Sequence, residues 1–185
     1  MIRDIVLYGD PVLRVKCPPV TQFTPELRAL ADDMIETMEA AQGVGLAAPQ
    51  IGESIRLAVV DVTDVEQPCT FLKIDGADTP LAEIMPLQFT NPELSMGKEK
   101  AIMNEGCLSF PEVRTEIRRG DRLKAKLTLL DGRTIHLETD GLLSRAIQHE
   151  TDHLNGILFI DRATPAAKLS LKKKIHKMWD QYAGE

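Results

Sequence analysis

Residues 140 to 156 read DGLLSRAIQHETDHLNG. Asp140 is a helix-capping residue type and Asn155-Gly156 an exit signal, so the stretch predicts a helix from Asp140 through His153 or Leu154. On its wheel Arg145, Gln148 and Asp152 share one face, while Leu143, Ile147 and Leu154 lie nearly opposite, which marks a central helix. His149 and His153 stand one turn apart, project from the same side and can chelate one cation. Glu150 sits beside them, where a carboxylate can handle a proton. The plainer alternative is a helix whose polar residues are ordinary surface.

A catalytic metal usually takes a third protein ligand and keeps one position for water. In the extended HExxHxxGxxH pattern that ligand would fall at position 159, where the residue is Phe159, so the long zinc-protease signature is excluded. Downstream, Asp161, His176, Asp180 and Glu185 remain. Upstream, His136 lies on a predicted strand opposite its apolar face, which favours an exposed structural role. Cys107, in EGCLS, is the better candidate. Gly106 beside it permits close backbone approach, and the Leu108 N–H that follows can face a ligand. A buried cysteine is more often a small hydrophobe. Yet a thiolate with two neutral imidazoles would leave a divalent site with one net positive charge, and soft sulfur suits Fe(II) or Zn(II) over Mg(II) or Ca(II).

Working outward, Thr24-Pro25 opens a helix to about Ala41, with Leu27, Leu30, Ala31, Met34, Ile35 and Met38 on one buried face. Gly43 and Gly45 stop it. IRLAVVDV, residues 55 to 62, reads as a strand buried in a sheet. Further strands are expected near 87–90, 113–117, 123–130 and 134–138, with Asp131-Gly132 as a hairpin signal. Residues 63–86 read as a loop, an excursion from the sheet. A third helix starts at Thr164-Pro165, with a stripe of Leu171, Ile175, Met178 and Tyr182 and lysines at 168, 172, 173, 174 and 177.

The chain has 185 residues and is 43% hydrophobic, enough for one domain over residues 1–185 with its own core. Its net charge of -6 argues against general affinity for free nucleic acid. Three cysteines, Cys17, Cys69 and Cys107, suit a reducing compartment better than a disulfide framework. The N-terminus shows neither signal peptide nor membrane span, and a cytoplasmic protein is expected.

Three segments together, GVGLAAPQ at 43–50, EGCLS at 105–109 and QHETDH at 148–153, resemble the peptide deformylase family and occur in its order. YGDPVLR near the N-terminus is similar as well. The resemblance implies an α+β fold with antiparallel sheets wrapped around the HETDH helix. It also implies hydrolysis of the N-formyl group from the formylmethionine of nascent polypeptides. It implies Cys107, His149 and His153 as ligands of one divalent metal ion, Fe(II) as the native one, with Zn(II), Ni(II) or Co(II) accommodated. Glu150 would be general acid and base, and Gln50 with the Leu108 N–H the oxyanion donors. Val44, Leu142 and Ala146 would line the methionine pocket, peptide backbone would lie near Gly45, and Arg114 would help order the site. By itself Gln50 reads as a polar residue on a turn, and Val44 and Leu142 as plain core. Arg145 falls near the expected pocket rim. In some members a basic C-terminal helix docks on the ribosome, so the lysine-rich helix is a docking candidate here.

Two rival readings stand beside this one. A metallopeptidase would use HETDH with Asp161 or His176 as third ligand. A non-enzymatic binding protein would use the metal for structure alone, but such a site has no use for Glu150.

Overall fold

Alternation in the strands explains how one sheet comes to be covered on both faces. The computed structural model describes residues 1–182, and the candidate ligand Glu185 lies outside them. A seven-stranded antiparallel sheet runs in the order β1 (Gly45–Ala47), β2 (Leu57–Val60), β5 (Leu87–Met96), β8 (Leu123–Thr128), β9 (Thr134–Thr139), β3 (Leu72–Ile74), β4 (Ala77–Asp78). All four residues of β2 are buried. Ala58 and Val60 join Ala47, Phe89 and Leu137 in one cluster, whereas Leu57 and Val59 join Leu46 in another on the opposite face. A period of two makes a continuous apolar run the right sequence for such a strand.

The second face is covered by α1 (Pro25–Ala40), which contributes Leu27, Ala31, Met34 and Met38. Thr24 caps it by accepting from the Leu27 N–H at 3.3 Å, and Pro25 occupies the first helical position. The first face is covered by α2 (Gly141–Leu154), through Leu143, Ile147 and Leu154. Each fully buried leucine or isoleucine here contributes about 1.5–3 kcal/mol relative to exposure. The long hairpin of β6 (Lys100–Cys107) and β7 (Phe110–Gly120) forms a separate two-stranded sheet against the other side of α2. α3 (Pro165–Tyr182) packs on β7 through Leu171 and Met178. The architecture is therefore α+β, with antiparallel sheets around the central helix, as expected.

Three local expectations are corrected. Residues 63–86 are not wholly an excursion, because β3 pairs with β9 and extends the main sheet. Asp140 occupies the N-cap position of α2 but makes no side-chain cap bond; its carboxylate accepts instead from the Thr70 N–H at 2.7 Å and from the Thr70 hydroxyl. It thus fastens that segment to the start of α2. β8 ends at Thr128 rather than Leu130, and Gly132 takes the turn with φ 86°, a conformation suited to glycine.

Candidate active site

Every residue of α2 from Leu143 to Leu154 is buried, including its polar ones. Polar side chains this deep must find partners or bind something. Most find them on the β6–β7 hairpin.

Cys107 ends β6, and its Sγ lies 3.3 Å from His153 Nε2. The sulfur of Cys107 and ring nitrogens of His149 and His153 all fall within 4.8 Å of one another, the only such group of potential ligands among the described residues. His149 is fixed from behind: its Nδ1 bonds Glu105 Oε1 at 2.9 Å, which leaves Nε2 for the site. His153 Nδ1 is buried without a partner. Burial pushes His153 well below its ordinary pKa and keeps it neutral, as a ligand must be; His149, although buried, is raised by its bonds to Cys107 and Glu105, so metal binding there would displace a proton. One soft and two borderline donors around a common point fit a divalent transition ion, with His153 Nε2 turned toward the Cys107 sulfur.

Glu105 and Cys107 stand two apart on a strand and so share a face. Burial alone would raise the Glu105 carboxyl, but hydrogen bonds from His149 and Arg119 hold it below the usual carboxylate range. Arg119 grips it with two nitrogens, at 2.7 and 3.0 Å, and reaches Asp152 on α2 at 2.8 Å. Arg162 closes the far side of Asp152.

Gln50 is buried, not on a surface turn. Its Oε1 accepts from the Ala47 N–H at 3.0 Å, which turns Nε2 toward Cys107 Sγ at 3.4 Å and Ser109 Oγ at 3.2 Å. Glu150 has one carboxylate oxygen buried without any partner. Burial raises its carboxyl to about 7, against the lowering charges of His149 and Arg119. It packs directly on Gly45, where an added Cβ would come within 2.3 Å of Glu150 Oε1.

These groups open into a cavity of about 590 Å³. Val44, Gly45, Leu142, Ala146 and Arg114 all line it, together with Gln50, Cys107, Leu108, His149 and Glu150. His153 lies deeper, at 1% exposure. Arg145 also lines the cavity, as expected, but its side chain is buried and its guanidinium is tied to the hairpin rather than free at the rim. The rival third ligands lie elsewhere. His136 is exposed beside Asp75, Asp161 pairs with Arg14, and His176 is exposed on α3 near Asp180. Glu105, Ser109 and Arg119 join the site only in the fold; nothing local in the sequence marks Ser109 or Arg119. For Glu105 the signal was present, since it precedes Cys107 by two on a strand.

A two-histidine helix, a facing thiol and a buried carboxyl beside a cavity define the class of metal-dependent hydrolases of the HExxH type. Comparison narrows the class. Residues 2–169 match the family model described as polypeptide deformylase. The chain is 45% identical over 178 residues to the peptide deformylase of Methylacidiphilum infernorum, covering 96% of this chain and 93% of that one. It is 48% identical over 164 residues to that of Opitutus terrae, covering 88% and 85%. The crystal structure of a peptide deformylase from Legionella pneumophila superposes with a TM-score of 0.82 at 32% identity, covering 100% and 99%. The chain belongs to the peptide deformylase family, enzymes that hydrolyse the N-formyl group from formylmethionyl nascent peptides.

Proposed function

We propose that Cys107, His149 and His153 hold the metal of this deformylase, and that Glu150, Gln50 and the Leu108 N–H carry out its chemistry on formylmethionyl peptides. The observation that carries the reading is the convergence of one sulfur and two imidazoles beside a buried, partnerless carboxylate oxygen. A divalent ion held there supplies Lewis acidity and makes water a competent nucleophile near neutral pH. Fe(II) is the proposed native ion, on the family resemblance; Zn(II), Ni(II) and Co(II) suit the same donors.

Glu150, with its carboxyl near 7, takes the proton of the attacking water and returns it to the departing amine. Gln50, its carbonyl anchored by Ala47, presents Nε2 to the negative charge that develops on the formyl oxygen. The Leu108 N–H is the second donor. One such donor is worth about 2.7–4 kcal/mol in the transition state. Val44, Leu142 and Ala146 receive the methionine side chain, whose burial contributes about 1.5–3 kcal/mol. β1 pairs only with β2, and β6 only with β7, so each leaves an edge at the cavity for extended peptide backbone. Arg114 closes the rim.

The lysines of α3 at 168, 172, 173 and 177 are exposed, while Leu171 and Met178 hold the helix down. This leaves a basic face for ribosome docking. Charge reversal at Lys172, Lys173 and Lys177 is expected to abolish co-sedimentation with ribosomes; unchanged co-sedimentation would end that part of the proposal. The ligand set is tested by metal quantification. Cys107→Ala is expected to purify without stoichiometric metal, whereas Asp161→Asn and His176→Ala retain it. The reverse pattern would restore the metallopeptidase reading.

A further inference from the structure

The candidate ligands sit on two pieces of structure that share no ladder. Cys107 belongs to the β6–β7 hairpin, His149 and His153 to α2, and the hairpin forms a sheet of its own. Something must set the distance between them. The bonds that cross from α2 to the hairpin come from side chains, and Arg145 makes three of them. Its Nη1 donates to Glu105 Oε2 at 2.5 Å and to the Ile117 carbonyl at 3.0 Å, and its Nη2 donates to the Ala101 carbonyl at 2.9 Å. Ala101 and Glu105 lie on β6 and Ile117 on β7, so one guanidinium engages both strands. The other crossings, Gln148 to Gly120, His149 to Glu105, Asp152 to Arg119 and His153 to Cys107, each reach one strand.

We infer that Arg145 is a positioning residue that fixes the Cys107 hairpin against the histidine helix and so sets the geometry of the ligand trio. Arg145 is 5% exposed and stands one turn before His149 on α2. Its planar fork delivers two nitrogens in fixed directions, which a flexible ammonium cannot copy. Through Glu105 it also bears on His149, since that carboxylate receives Arg145, Arg119 and His149 together. Removing the fork leaves two backbone carbonyls and a carboxylate oxygen short of a donor. Glu105 then relaxes toward Arg119, and the His149 ring and the hairpin shift with it.

The inference rests on the ligand reading above, and its test separates the two. Wild type, Arg145→Met and Arg145→Lys are loaded with Co(II), whose visible d–d absorption reports ligand geometry. Spectrum, rate of Co(II) release to a chelator, kcat and KM are then measured. Arg145→Met keeps most of the side-chain volume. It is expected to alter the absorption, to release Co(II) about 10–100-fold faster, and to lower kcat by a larger factor than it raises KM for formyl-Met-Ala-Ser. Arg145→Lys, which retains charge but not the fork, is expected between the two, and carries the test if the methionine variant fails to fold. A folded variant with the parental spectrum and release rate would overturn the inference, whatever its Tm. Wild-type protein that takes up no Co(II) would overturn the ligand reading instead.

Discussion

Cys107 Sγ lies 3.3 Å from His153 Nε2, although 46 positions separate the two residues in the chain. The contact depends on two elements that fold separately, a strand end and a helix, meeting at one cavity. Around it stand Gln50, Gly45 and Glu150, and each yields a measurable consequence.

Gln50 is anchored through its carbonyl and donates through its amide. In Gln50→Glu the oxygen that accepts from Ala47 remains, and the donor is lost. The expected result is a fall in kcat of about 10²–10³-fold with little change in KM. Gln50→Leu should lose the same activity and also stability, because the Ala47 N–H is then left buried and unpaired at about 1–3 kcal/mol. Parental kcat in Gln50→Glu would remove Gln50 from the oxyanion role.

Gly45 owes its place to the absence of a side chain. A Cβ there would lie 2.3 Å from Glu150 Oε1 and 2.9 Å from its Cδ, so the carboxyl group must leave its position and move toward the cavity it lines. Gly45→Ala is expected to displace Glu150, to cost about 1–3 kcal/mol by overpacking, and to lower kcat while bound metal stays stoichiometric. Thermal unfolding, metal content and steady-state kinetics check the three parts.

Ala146 faces the cavity one turn before Glu150, on the helix that carries the histidines. Ala146→Leu should fill cavity space proposed for the methionine side chain. Loss of most of that burial predicts a drop in kcat/KM of about 10–100-fold toward formylmethionyl peptides, with formylated peptides bearing smaller first residues affected less. Equal losses for all substrates would place the pocket elsewhere.

Arg14 and Asp161 form an ion pair with the Arg14 Nη1 donating at 2.5 Å. Burial raises the Asp161 carboxyl, but hydrogen bonds from Arg14 and the Leu158 N–H overcome this and hold it below its ordinary value. A depressed carboxyl contributes stability that is present above its unfolded pKa and is lost as pH falls through the folded one. Urea midpoints of wild type and Asp161→Asn should therefore differ at pH 7 and converge below about pH 4. Because the pair is more than one-third exposed, the difference should stay under about 1 kcal/mol.

What the sequence made legible is what depends on local periodicity. The i, i+4 histidines of α2, the apolar face of α1 and the all-buried strand β2 follow from 3.6- and 2-residue repeats and were readable directly. Cys107 was readable as the best third donor once Phe159 closed the longer motif. The buried ionic lattice was not. Arg119 and Asp152 look like surface charges until the hairpin folds onto α2, and Arg145 reads as a pocket-rim residue whose burial stays hidden because nothing local reveals three acceptors waiting across the gap. Asp140 has the type and position of a cap, but a tertiary partner, Thr70, takes the carboxylate instead. The strand β3 was hidden in a loop-like composition because its place in the sheet comes from pairing with β9.

The most direct test of Glu150-assisted deformylation is formate release from formyl-Met-Ala-Ser by anaerobically purified protein, beside Glu150→Gln, with bound metal quantified in both. The parent is expected to release formate, and release is expected to collapse in a variant that still holds one metal ion per chain. Undiminished release by metal-loaded Glu150→Gln would contradict the role of Glu150, and no release by metal-loaded parent would contradict the proposed chemistry of the site.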